Sequence, residues 1–139
     1  MTLSDEEALT RFRNARVAHL ATVSADGTPH LVPVTFAATT DTVLIAIDHK
    51  PKTTTNLKRL TNIRATGKVS LLADDYNDED WTQLWWVRLD GTAEVVEAEP
   101  TRTELAEQLV TKYSQYRDTP PTGPVIRIKI KKIRSWTHT

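Results

Sequence analysis

The chain has 139 residues, 39% of them hydrophobic and 26% charged, which is the size and make-up of one globular domain. Lys+Arg and Asp+Glu both number 18, so no net positive field favours nucleic acid or an anionic membrane as a partner. There is no cysteine, which excludes disulfides, thiolate metal sites and cysteine nucleophiles. The acidic start, Met1-Thr2-Leu3-Ser4-Asp5-Glu6-Glu7, has no signal-peptide character. The longest apolar run, Val43 to Ile47, is far short of the roughly 18 residues a bilayer span needs, which makes the cytoplasm the expected compartment. His19, His30, His49 and His138 form no HxH or HExxH spacing, so no metal site is expected.

Ser4 and Glu7 form a capping-box pattern with Leu3 as staple on Ala8. A first helix follows, its face set by Ala8, Leu9 and Phe12. From Val17 the period changes to alternation, with the turn Ala25-Asp26-Gly27-Thr28 predicting a hairpin. The second strand, Pro29 to Ala37, places His30, Val32, Val34 and Phe36 on one face. Pro33 in its middle has no N–H to donate, so the strand meets an edge, a bulge or a ligand there. A third strand covers Thr42 to Asp48. Leu57, Leu60 and Ile63 mark a short helix with Thr53 or Thr54 as its cap.

Beyond Gly67, Val69, Leu71 and Ala73 begin another strand. After the polar loop Asp74 to Asp80, a tryptophan-rich strand region runs from Trp81 to Glu97, with a turn or bulge near Asp90-Gly91. Pro100 opens a helix in which Thr101 and Glu104 repeat the capping box, and Leu105, Leu109, Tyr113 and Tyr116 form the buried stripe. The last strand runs from Val125 to Trp136. This order does not alternate as a doubly wound sheet does. It predicts a mainly β, α+β fold in which antiparallel strands close into a small barrel with helices outside or across an end.

The neutral total hides a local bias. Lys50, Lys52, Lys58, Arg59, Arg64 and Lys68 occur between His49 and Ala73 with no acid among them. With Thr53, Thr54 and Thr55 beside a helix start, they make either an anion site or a solvated face balanced by the acidic loop. Trp85 and Trp86 must point to opposite faces of their strand. One of them therefore covers something outside the barrel: a helix, a second subunit or a planar ligand. His30 and His49 are the titrating groups nearest these features. The serines lack a nucleophile elbow and the paired acids lack EF-hand spacing. No set of side-chain catalysts emerges, so an enzymatic role would rest on a cofactor.

Arg16-Val17-Ala18-His19-Leu20-Ala21-Thr22-Val23 followed by Asp26-Gly27-Thr28-Pro29-His30-Leu31-Val32-Pro33-Val34 resembles the opening of the pyridoxamine-5′-phosphate-oxidase-like split β-barrel family. Within it the chain most resembles the small proteins that bind the deazaflavin coenzyme F420. Asp48-His49-Lys50-Pro51-Lys52-Thr53, Asn62-Ile63-Arg64, Trp85-Trp86-Val87-Arg88-Leu89-Asp90-Gly91 and the final strand extend the likeness over nearly the whole chain. The resemblance implies a homodimer with two cofactor sites at the subunit interface, and a small unsaturated acceptor as substrate. His30, Leu31, Val32 and Pro33 would line the ring, with Ile47 and Asp48 nearby. Lys50, Lys52 and Thr53 would hold the phosphate and acidic tail, and Trp85, Trp86 and Arg88 would meet the partner chain or the substrate.

Many relatives carry a Lys-x-x-Asn phosphate motif. Here Arg59 stands three residues before Asn62, and Lys52 four before Asn56. The phosphate ligand is accordingly Lys52, Arg59 or both. An FMN enzyme of the flavin reductase or pyridoxamine phosphate oxidase kind, and a non-catalytic F420-, flavin- or tetrapyrrole-binding protein, are the alternatives the same residues allow.

Overall fold

The computed structural model describes residues 1–47 and 57–139. Among them are α1 (Asp5–Asn14), β1 (Ala18–Val23), β2 (Pro29–Val34), β3 (Ala37–Ala38), β4 (Thr42–Ala46), α2 (Lys58–Thr66), β5 (Lys68–Asp75), β6 (Trp85–Val96), α3 (Thr101–Lys112), α4 (Ser114–Asp118) and β7 (Val125–Thr137). The strands form one sheet in the order β2-β1-β5-β6-β7-β4-β3, with every pairing antiparallel.

That order dictates curvature. β2 and β3 are the two ends of the sheet, yet three peptide steps from Val34 to Ala37 span at most about 11 Å. A flat sheet would hold those edges about 29 Å apart, six strand spacings of about 4.8 Å. The sheet must roll until its edges nearly meet, and the barrel expected from the sequence is this rolled, incompletely closed form. The same geometry splits the predicted Pro29–Ala37 strand. The chain leaves one edge after Val34 and joins the other at Ala37, so Phe36 lies in the crossing segment rather than in the strand, while still buried in the same interior cluster as Val34.

The interior is packed by Leu20, Leu71, Leu89, Ile126 and Ile128 from the sheet, by Phe12 from α1 and by Leu60 and Ile63 from α2. Phe12 meets Phe36 with ring centroids 4.8 Å apart. Each such side chain withdrawn from water contributes about 1.5–3 kcal/mol. A second cluster lies on the outside of β4 and β7, where Ala106 and Leu109 of α3 cover Leu44, Ala46 and Val125. β4 is thus buried on both faces, which explains its continuous apolar run.

Ser4 accepts from the Glu7 N–H at 3.1 Å, as the capping pattern predicts. The other two predicted caps are corrected. α2 begins at Lys58 with Leu57 at its N-cap and no side-chain cap, so neither Thr53 nor Thr54 starts it. α3 is preceded by Pro100, and the carboxylate serving its first turn is that of Glu99, which accepts from the Thr103 N–H at 2.8 Å. The stripe on α3 is also narrower than predicted. Leu109 and Ala106 are buried, whereas Leu105, Tyr113 and Tyr116 are half-buried, and the helix breaks at Tyr113. The predicted third strand stops at Ala46 rather than Asp48, and Trp81–Gln83 is a 3-10 turn ahead of β6. The irregularity foreseen at Asp90-Gly91 is a register shift between β6 and β7.

Candidate functional site

Strand alternation divides the predicted ring-lining residues between two faces. His30 and Val32 point inward, opposite Thr22 and Leu20 of β1, while Leu31 and Pro33 point outward opposite Ala21 and His19. β2 is an edge strand, so the missing N–H of Pro33 disrupts no ladder. Asn62, buried on α2, donates from Nδ2 to Thr22 Oγ1 at 3.0 Å. Thr22, Asn62 and His30 therefore form a polar cluster at the barrel wall. Among the described residues, His30 Nδ1 and Asn62 Oδ1 are buried without a hydrogen-bond partner.

A cavity of about 530 Å³ opens between the end of β2, β4, α2 and α4, with Pro33, Val34, Ile45 and Ala46 as its apolar walls. Its polar lining is Arg16, Arg59, Thr35, Tyr113, Ser114, Gln115 and Tyr116; among the described residues that line it there is no carboxylate. The Tyr113 hydroxyl donates toward the carbonyls of Arg16 at 2.9 Å and Phe36 at 3.0 Å and accepts from the Phe36 N–H at 3.1 Å. Burial pushes the Tyr113 hydroxyl above its ordinary pKa, so it stays neutral. Thr35 Oγ1 and the Tyr116 hydroxyl stand 3.1 Å apart. The volume suits a small-molecule group, and two guanidinium groups beside hydroxyl and amide donors suit an anion.

The predicted tryptophan group lies elsewhere. Trp85 turns toward the interior cluster, with the Arg11 guanidinium of α1 5.8 Å from its ring centroid. Trp86 turns outward. There it joins Leu72, Tyr76, Arg88 and Trp136 along a trough of about 470 Å³ that Asp74 and Asp75 also flank. The outer face of β2, β1, β5, β6 and β7 carries cross-strand rows. His19 pairs Pro33 and Leu72, Leu72 pairs Arg88, and Asp74 pairs Trp86, which pairs Trp136. Leu31 is 67% exposed on this face, and Leu72 and Trp136 are each 36% exposed. Burial alone would raise the Asp90 carboxyl, but hydrogen bonds from Ser70 and Arg88 outweigh it and hold the group below the usual carboxylate range.

Of the expected site residues, Pro33 and Arg59 share the cavity, with Ile47 just beyond its wall residue Ala46. Trp85, Trp86 and Arg88 share the trough, and His30 and Asn62 share the Thr22 cluster. Asp48, Lys50, Lys52 and Thr53 lie outside the described residues. Among the described residues of one chain, the cavity, trough and Thr22 groups do not meet in a single cavity. Arg16, Tyr113, Ser114, Gln115 and Tyr116 were not foreseen as lining residues. The tyrosine spacing reads equally as a core stripe, and nothing local marks a helix break that turns their hydroxyls to a cavity.

A rolled antiparallel sheet whose edges approach without pairing, with helices set into and against it, is a split β-barrel of the α+β class. The pyridoxamine 5′-phosphate oxidase family model matches residues 4–137, and the chain belongs to that family, which includes oxidoreductases. A conserved hypothetical protein, Rv2991, from Mycobacterium tuberculosis shares the fold at 22% identity and a TM-score of 0.78, over 98% of this chain and 86% of that one. A FAD-binding protein from Mesorhizobium loti does so at 20% identity and 0.75, over 97% and 95%. HutZ, the heme storage protein of Vibrio cholerae, does so at 18% and 0.72, also over 97% and 95%. No curated protein matches the chain. No helix among the described residues is long and apolar enough to cross a membrane, and none of their His, Asp and Glu side chains cluster as a metal site.

Proposed function

We propose that two copies of this chain bind the deazaflavin coenzyme F420 at sites they share, and that the loaded protein reduces a small unsaturated acceptor. The observation that carries this reading is the 530 Å³ cavity, apolar along Pro33, Val34, Ile45 and Ala46 and cationic at Arg16 and Arg59. A flat heterocycle with a phosphate matches that division of surface. The separation of the Trp86–Arg88 trough from this cavity supports a shared site. Residues on the outer face of one copy reach a ring in the cavity of another only if the copies pair through that face. Leu31, Leu72 and Trp136 make it apolar enough for pairing.

When bound, a reduced deazaflavin supplies a hydride from its ring carbon. This chain's residues then have binding and orienting roles. Arg59 and Arg16 would hold the anionic end; Pro33, Val34 and Ile45 would exclude water from one side of the ring. His30 would offer a hydrogen bond at Nδ1, the atom left without a partner among the described residues of the Thr22 cluster. Arg88 is bound by its own Asp90 and so acts on the outer face as one half of a neutral pair.

Flavin binding is the second reading, favoured by the FAD-binding relative, and storage without turnover is the third, favoured by the heme storage relative. Titrating purified protein side by side with F420, FMN and FAD separates the cofactors. Reoxidation of bound reduced F420 by a panel of quinones and enones then separates enzyme from carrier. Tighter binding of FMN than of F420 would overturn the deazaflavin assignment, and binding with no reoxidation would overturn the reductase assignment.

A further inference from the structure

Where α1 runs out toward β1 and α3 passes beside it, three cations stand together. Arg16 donates from Nη2 to the Lys112 carbonyl at 3.1 Å, and its guanidinium lies 4.8 Å from the Tyr113 ring centroid. These contacts pin it at the rim of the 530 Å³ cavity. The same Arg16 also lines a second groove, of about 440 Å³, with Arg13, Asn14, Gln108 and Lys112. Among the described residues neither lining contains a carboxylate, and none of Arg13, Arg16 and Lys112 is ion-paired.

Lys112 has committed two of its three donors to carbonyls and faces a ring. Its Nζ bonds the carbonyls of Arg13 at 3.0 Å and Ala15 at 2.8 Å and sits 3.8 Å from the Phe36 ring centroid, so it contributes charge. Among the described residues, Arg16 uses one guanidinium N–H on protein and Arg13 uses none, which leaves N–H donors of both for an oxygen anion. Burial, followed by the Arg16 charge, lowers Lys112 to about 8.

One phosphate accounts for the first cavity but leaves the second groove without an anion. We infer that Arg13 and Arg16 are specificity residues for a cofactor whose negative groups continue past its first phosphate, running from the cavity over Arg16 into the groove at Arg13. This rests on the cofactor reading above and deepens it. The carboxylates of a glutamyl tail and the second phosphate of a flavin dinucleotide share the required chemistry. A mononucleotide has neither.

The test is a set of four affinity titrations on the full chain, repeated at two salt concentrations. The ligands are tailed F420, the deazaflavin mononucleotide that ends at its phosphate, FAD and FMN. In the wild type the extended member of one pair binds about tenfold more tightly than its truncated partner, the scale of one charge-assisted contact. In Arg13→Gln/Arg16→Gln that ratio falls to about one, and salt dependence flattens. A ratio confined to the deazaflavin pair assigns the groove to the tail, and one confined to the flavin pair assigns it to the dinucleotide. If both wild-type ratios are near one, or the ratio survives in the double variant, the specificity role is overturned while mononucleotide binding leaves the cofactor reading standing. If none of the four binds, both fall. Arg13→Gln alone changes an exposed side chain with no partner among the described residues, and its smaller drop in the same ratio is expected without loss of fold.

Discussion

The Lys112 ammonium stands 3.8 Å from the Phe36 ring centroid while it holds the carbonyls of Arg13 and Ala15 at the end of α1. One side chain of α3 therefore closes the C-terminus of α1 against the segment that crosses between the sheet edges.

This placement gives a pH signature. Lys112 is lowered from 10.5 to about 8, so between those values the unfolded chain holds a proton there that the folded chain has released. Stability rises with pH wherever the unfolded state binds more protons, and the lysine's penalty, complete below pH 8, is relieved toward pH 10. Tyr113 opposes this above its ordinary pKa, because burial keeps its proton on in the folded state alone. Urea unfolding at pH 7.5 and at pH 9.5 measures the change. The wild type gains stability relative to Lys112→Met between the two, and a constant difference contradicts the assignment.

Gly91 sits at the β6–β7 register shift, where an added Cβ would collide with the Lys129 backbone carbonyl. A backbone oxygen in a paired strand has little room to give. Gly91→Ala is expected to cost about 1–3 kcal/mol, the range for overpacking a filled site. A thermal melt equal to wild type would show that the strands part at no cost.

The outer face should hold two copies together. Leu31→Lys with Trp136→Glu places charges on side chains that are 67% and 36% exposed in the single chain. The circular dichroism of a folded domain should remain while the sedimentation mass falls from twice 15.7 kDa to 15.7 kDa. An unchanged mass would place the contact on another face.

Much of this architecture was legible in the sequence because local chemistry specified it. Asp26-Gly27 closes a hairpin with Gly27 at φ 89°, and the Asp26 carboxylate accepts from Thr28 N–H at 3.1 Å and from the Ser24 hydroxyl. Ser4 caps α1, and the adjacent tryptophans face opposite ways. Less local features did not show. Phe36 looks like the last residue of an alternating strand, because the jump to the far sheet edge is a property of the rolled sheet. Glu99 takes the capping role that Thr101 and Glu104 advertise. The cavity gathers Arg16, Arg59 and Tyr116, residues from well-separated segments whose convergence no short window reveals.

The central claim is that each cofactor site is built from the Arg59 cavity of one copy and the Trp86 face of another. Subunit complementation reads this directly. Arg59→Ala and Trp86→Ala, each prepared alone and each weakened in cofactor binding, are mixed, dissociated and allowed to re-pair. Random pairing of a two-fold dimer should restore wild-type affinity to about a quarter of the sites, because half the dimers are mixed and each mixed dimer regains one intact site. A mixture in which no site recovers would show that both residues act within one chain, and would contradict the shared-site account.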